Sequence, residues 1–296
     1  MGRQEFIPLE PKIKFSGQKI IQYGQYHGIR KHDPRQQELA GFNKSEHVYS
    51  TFGVSSKRRL SQYVNTWMDT IFFARSLFNI KSIVPERRHT FVTLTIPSTQ
   101  IHCDKIIKRE ILNKFIIELQ REYGLTNYIW KSELQVNGNL HFHFLTSIYI
   151  DAIELRLIWL WCCNELGYVD SYYQSSKKFL PNATDVHALQ KIKNVSTYVC
   201  KYMSKESTLR PICGHTWGRS DGIDKLQNYS LHESLELSEW YKMMVDSAPN
   251  KFYSAERFAV TSFFSKPNFR SMHDRSKELL KEITMQNLSV LNLAIK

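Results

Sequence analysis

The stretch Leu140-His141-Phe142-His143-Phe144-Leu145 alternates apolar side chains with imidazoles. In a β-strand successive side chains point to opposite faces, so Leu140, Phe142 and Phe144 share one face while His141 and His143 share the other. The first face suits a core, and the second brings two imidazoles within reach of one ion. Immediately upstream, Asn137-Gly138-Asn139 separates this run from a second β-rich run, Tyr128 to Val136. Asn and Gly accept positive φ, which marks a hairpin. A turn centred on Asn137 sets Glu133 opposite His141, with Gln135 on the same strand face. Two imidazoles and one oxygen donor, Glu133 or in its place Gln135, form a mixed nitrogen and oxygen set that suits Mg²⁺ or Mn²⁺.

Working outward, Arg87 to Thr95 is rich in β-branched and aromatic residues and closes at Pro97, which reads as a strand. Residues 104–122 carry Ile107, Ile111, Phe115 and Leu119 at helical intervals, with Asp104 as the expected N-cap and Gly124 as the stop. Asp151 followed by Glu154 reads as a capping box that opens a second helix, expected to run to Gly167. A polar connection, 171–184, leads to a short β run, Asp185 to Leu189, and to a third helix from Asn194 to Lys205. The order strand, helix, strand, strand, helix, strand, helix fits an α+β fold. Its antiparallel sheet has about five strands with helices on one face, of the ferredoxin-like or RNA-recognition type. Three regions follow: a basic, partly helical segment 1–85, a central domain 86–220 and an accessory segment 221–296. Within the first, Leu60, Tyr63, Val64, Trp67, Ile71 and Phe72 form the apolar stripe of a helix that begins near Ser55 or Ser56.

The third helix carries Tyr198, Lys201, Tyr202 and Lys205, which fit within one stripe of roughly 100° when each residue advances by about 100°. Val195, Val199 and Met203 form a neighbouring apolar stripe, so the helix has something to bury while its tyrosines and lysines look outward. A phenol with a pKa of about 10 is a poor nucleophile at neutral pH. A nearby lysine stabilises the phenolate, and a metal on the phosphate lowers the demand on it.

Composition narrows the partners. Lys and Arg number 40 against 28 Asp and Glu, a net charge of +12 that favours a polyanion. No apolar run approaches the roughly 18 residues of a membrane span, and the N-terminus lacks the apolar region of a signal peptide. The five cysteines show no zinc spacing and read as reduced thiols of a cytoplasmic protein. No G-x-x-x-x-G-K-[ST] motif occurs, which argues against a P-loop helicase module.

His141-Phe142-His143 resembles the central motif of the HUH endonucleases, and Tyr198-x-x-Lys201-Tyr202-x-x-Lys205 resembles the two-tyrosine motif of rolling-circle replication initiators. The likeness is greatest to the gene A type initiators of small single-stranded DNA phages and related plasmids. Phe91 to Thr95 is similar to that family's first motif, Glu133 sits where many members carry a third metal ligand, and Gly214-His215-Thr216-Trp217-Gly218 resembles a Trp-Gly loop of phage-like members. The resemblance covers roughly 88–220. It implies that the histidine strand holds a metal under the scissile phosphate, with the tyrosine helix packed across it. A tyrosine then attacks DNA to give a 5′-phosphotyrosyl link and a 3′-OH primer, and the second tyrosine acts after one round. It further implies single-stranded or supercoiled origin DNA as substrate, and a host helicase and polymerase as partners in a bacterial cytoplasm. A two-tyrosine transposase shares every motif residue named. A non-catalytic single-stranded nucleic-acid-binding module shares the basic charge and the aromatics.

Overall fold

The computed structural model describes residues 11–16, 19–24, 49–50, 52–78, 89–187, 195–204, 210–232, 234–247, 253–256, 259–263 and 269–293. In chain order its strands are Pro11–Ser16 (β1), Lys19–Gly24 (β2), Tyr49–Ser50 (β3), Thr90–Thr95 (β4), Tyr128–Leu134 (β5) and Leu140–Thr146 (β6). Thr184–His187 (β7), Ile212–Cys213 (β8), Trp217–Arg219 (β9), Ser230–His232 (β10), Tyr253–Glu256 (β11) and Ala259–Phe263 (β12) follow. The chain divides into two units: residues 42–64 with 84–225, and residues 1–41 with 65–83 and 226–296.

In the first unit five strands pair antiparallel in the order β7-β4-β6-β5-β9, beside a small β3-β8 ribbon. This is the α+β sheet expected from the sequence. Val92, Leu94, Leu134, Leu140, Phe142 and Phe144 point to one face and are buried against Ile107, Ile111, Phe115, Leu119, Leu155 and Trp159 from the helices. Fully burying one such side chain contributes about 1.5–3 kcal/mol. The Trp159 indole, enclosed in this core, donates to Thr95 O at 2.7 Å, so its own buried donor is satisfied.

The hairpin forms at Asn137-Gly138-Asn139, where Gly138 has φ +82° and Gln135 N donates to Asn139 O at 2.9 Å. Asn139 does more than turn the chain. Its buried amide donates to Ser98 O at 2.7 Å and accepts from Gln100 N at 2.9 Å, fastening the β4 exit loop to the turn.

Two helix readings need correction. The helical run from Asp104 to Tyr123 is capped by Cys103 rather than Asp104, and a π-helical segment, Ile107–Leu112, interrupts it. Asp104 is buried instead, paired with Arg210 at 2.6 and 2.8 Å and accepting from Cys213 N at 2.9 Å. Such neutralisation makes a buried carboxylate tolerable. The second helix, Ala152–Asn164, stops before Gly167, whose φ of +73° starts a separate helix, Tyr168–Ser176, within the stretch expected to be a connection. Asp151 caps the second helix as expected, accepting from Ile153 N at 2.8 Å.

Gly218 lies opposite Trp130 on the β5-β9 edge, and a Cβ there would come within 2.6 Å of the indole. Only glycine fits this approach.

The second unit is a five-stranded antiparallel sheet in the order β10-β1-β2-β12-β11. Its core gathers Ile13, Phe15 and Ile20 from the sheet with Phe73, Trp240, Phe269 and Leu280. The helix Val54–Phe78, which the division into units splits after residue 64, buries Leu60, Val64, Trp67 and Ile71 of the stripe read from its spacing, while Tyr63 and Phe72 are half-buried. Among the described residues all five cysteines are free, and no helix is long and apolar enough to cross a membrane.

Candidate active site

On the sheet face opposite the helical core, period-two alternation lines up the chemistry. Glu133 pairs with His141, Lys131 with His143, Thr93 with His143 and Phe91 with His187. Directly paired residues share a face. Glu133 Oε2 lies 3.1 Å from His143 Nε2 and 3.6 Å from His141 Nε2. One ligand atom from each of the three falls within 4.8 Å of the others. Gln135, the alternative donor, sits beyond the end of β5 in the hairpin turn.

Both ring nitrogens of His141 are buried without a hydrogen-bond partner. Buried imidazole nitrogens normally find one. The stranded nitrogens and the shared carboxylate oxygen suit a divalent cation bound between them, and the donor types fit Mg²⁺ or Mn²⁺. Burial pushes the Glu133 carboxyl up, but the nearby His141 ring, the hydrogen bond with His143 and the charge of Lys131 outweigh it and hold the group well below the usual carboxylate range. Burial also lowers His143, against the pull of Glu133. Both groups are therefore in their metal-binding forms at neutral pH.

Three residues here had no role in the sequence reading. Lys131 is almost completely enclosed, with its ammonium 3.9 Å from Glu133 and 4.8 Å from the centre of the Phe52 ring. Its strand parity with Glu133 was the available signal. Thr93 Oγ1 lies between His143 Nδ1 at 3.1 Å and His187 Nε2 at 3.2 Å. His187, at the end of β7, bonds the Tyr198 hydroxyl through Nδ1 at 3.0 Å. Burial lowers the His187 pKa, partly offset by Asp185.

The helix Val195–Met203 lies over this face. Val199 and Met203 are buried, as the stripe predicts. The tyrosines, expected to look outward, are half-buried against the sheet because Phe91 and the imidazoles offer them an aromatic floor. The Tyr202 ring is 5.8 Å from His143 and 5.2 Å from His187, and the two tyrosine rings are 4.9 Å apart. Burial and a hydrogen bond with Tyr202 push the Tyr198 hydroxyl up to about 12, so it needs activation to serve as a nucleophile. Lys201 is exposed on the same helix, and Lys205 lies outside the described residues.

Residues 89–207 match the family model described as Replication-associated protein ORF2/G2P. The matched stretch opens one residue before β4, ends just past the tyrosine helix and contains Glu133, His141, His143, Tyr198 and Tyr202. This part of the chain is thus similar to replication-associated proteins. No curated protein and no solved structure matches the chain.

Proposed function

We propose that the chain initiates rolling-circle replication by nicking and rejoining origin DNA through a tyrosine. The observation that carries this reading is the meeting of Glu133, His141 and His143 with two tyrosines on one sheet face. Binding alone requires no such conjunction. The match to replication-associated proteins supports it independently.

In this reading Glu133, His141 and His143 hold Mg²⁺ or Mn²⁺, which supplies a Lewis acid for a phosphoryl oxygen. Lys131 balances the carboxylate and adds positive charge beneath the phosphate. Tyr198 or Tyr202 attacks phosphorus, the P–O3′ bond breaks, and a 5′-phosphotyrosyl link forms with a free 3′-OH. Lys201 and Lys205 favour the phenolate. The link keeps the energy of the phosphodiester, so the second tyrosine rejoins the strand without ATP. The tyrosines sit one helical turn apart, which lets both reach one phosphate by a small shift. The reaction resides in residues 86–220, with 1–85 and 221–296 as accessory regions, in a bacterial cytoplasm. Host helicase and polymerase supply unwinding and synthesis.

Incubation with labelled single-stranded origin oligonucleotides and Mn²⁺, followed by a denaturing gel, tests the reading. A covalent protein–DNA adduct that EDTA prevents is expected. DNA binding with no adduct on any origin strand would leave only the binding-module reading.

A further inference from the structure

The two tyrosines have different surroundings. A chain of hydrogen bonds that starts at the carboxylate reaches the Tyr198 hydroxyl, which in turn bonds Tyr202. Glu133 Oε2 lies 3.1 Å from His143 Nε2, His143 Nδ1 lies 3.1 Å from Thr93 Oγ1, Thr93 Oγ1 lies 3.2 Å from His187 Nε2, and His187 Nδ1 lies 3.0 Å from the Tyr198 hydroxyl. Tyr202 meets the same two imidazoles with its ring. The chain exists because Thr93 and His143 are cross-strand partners and His187 stands on the neighbouring strand, two positions along.

The direction of the chain follows from its first member. Nε2 of His143 faces Glu133 and the candidate metal position. When that nitrogen gives its lone pair to a cation, Nδ1 keeps the proton and donates it to Thr93. A hydroxyl that accepts there has its own proton free for Nε2 of His187. A neutral His187 then carries its one proton on Nδ1, aimed at Tyr198.

Resting on the nuclease reading above, we propose that His187 is a further catalytic residue. It donates its Nδ1–H to the Tyr198 oxygen, its tautomer is set through Thr93 by His143, and Tyr198 is thereby the tyrosine that attacks first. In that step the Tyr198 Oη–P bond forms and the P–O3′ bond breaks. The departing O3′ takes up, through solvent, the proton that Tyr198 releases, while His187 keeps its own proton and stabilises the phenolate. A hydrogen bond to a charged oxygen is worth about 10- to 100-fold in rate.

The test uses the full chain with a labelled origin oligonucleotide and Mn²⁺, reading the rate of adduct formation and, by peptide mass spectrometry, which tyrosine is modified. A second readout needs no turnover: the titration of Tyr198 with Mg²⁺ present and no DNA, followed by NMR of isotope-labelled tyrosine and assigned with Tyr198→Phe. His187→Ala is expected to slow adduct formation at Tyr198 by about 10- to 100-fold and to raise the pH at which Tyr198 titrates. His187→Gln, which retains a side-chain N–H, restores part of both. Thr93→Val, close in shape to threonine, reproduces the loss and Thr93→Ser reverses it, so the Thr93 pair decides the matter should His187→Ala fail to fold. A first adduct on Tyr202, or a Tyr198 rate and titration unmoved by both His187→Ala and Thr93→Val, overturns the role of His187 and leaves the nuclease reading standing. No adduct in the parent chain overturns the nuclease reading and this step with it.

Discussion

Both units are built on five antiparallel strands, yet one sheet carries polar chemistry on a face and the other is packed with aromatic bulk. In the β7-β4-β6-β5-β9 sheet, Glu133, His141, His143, Lys131, Thr93 and His187 crowd the face opposite the helical core. In the second sheet, Ile13, Phe15 and Ile20 meet Phe73, Trp240 and Phe269. Burying the polar set costs desolvation that the structure recovers only in part, as the stranded nitrogens of His141 show. Burying the aromatic set is favourable throughout. A face that spends stability on unpaired polar groups is where function is to be sought.

The largest expected effects fall on the polar face. His143→Ala should abolish adduct formation while leaving a folded protein that still binds DNA, since lysine and arginine contacts to phosphates supply most non-specific affinity. The double variant Tyr198→Phe with Tyr202→Phe should give no adduct, whereas each single variant keeps some and fails to release closed circles. A double variant that still forms an adduct would move the nucleophile elsewhere. Next comes the aromatic sheet. Phe15 is buried among the rings of Phe73, Trp240 and Phe269, and Phe15→Ala should cost about 3–5 kcal/mol in urea unfolding. Adduct formation under folding conditions should persist. Its loss in parallel would dissolve the contrast between the two sheets.

Much of the polar face was legible because it depends on local rules. Period-two alternation and the Asn137-Gly138-Asn139 turn together fix Glu133 opposite His141, and spacing on one helix brings Tyr198 beside Tyr202. Thr93 and His187 were hidden because their roles arise only where three strands from distant parts of the chain lie side by side. Asp104 looked like a cap because no local pattern announces a partner as far off as Arg210. The aromatic sheet was illegible for the same reason on a larger scale. The alternation of Ile13 and Phe15 is present in β1, but its partner strand β10 stands at the other end of the chain, with Tyr23 and Ser230 bonded across 207 positions.

A smaller effect follows from pH. His143 and His187 are both held below the usual imidazole value by burial, so as pH falls through about 6.5 the unfolded chain takes up protons before the folded one does. Stability therefore falls as pH drops through that range. Glu133, whose folded value is depressed, acts in the same direction at lower pH: the unfolded chain protonates near pH ~4.3 while the folded carboxylate does not. The urea midpoint should decline from neutral pH downward, with a shallower decline near pH ~6.5 in His187→Gln. A midpoint that rises on acidification would mean that these imidazoles are stabilised in their charged forms.

The smallest expected effect concerns how the apolar side of the polar sheet is covered. Asp151 precedes the helix Ala152–Asn164 with extended backbone at ψ 143°, and its carboxylate accepts from Ile153 N at 2.8 Å and Glu154 N at 3.4 Å. These are two of the amide groups that a helix start leaves without partners. The reciprocal half of the capping box is not made, because Glu154 accepts from the Tyr123 hydroxyl at 3.1 Å and so ties this helix to the end of the preceding one. Asp151→Ala should therefore cost about 1 kcal/mol in urea unfolding, and Asp151→Asn, which keeps an acceptor, much less. Adduct formation should be unchanged in both, since Asp151 stands at the helical layer, away from the imidazole face. An alanine variant as stable as the parent would show that packing of Leu155 and Trp159 alone holds the helix start, and that the cap is incidental to the sheet it helps to cover.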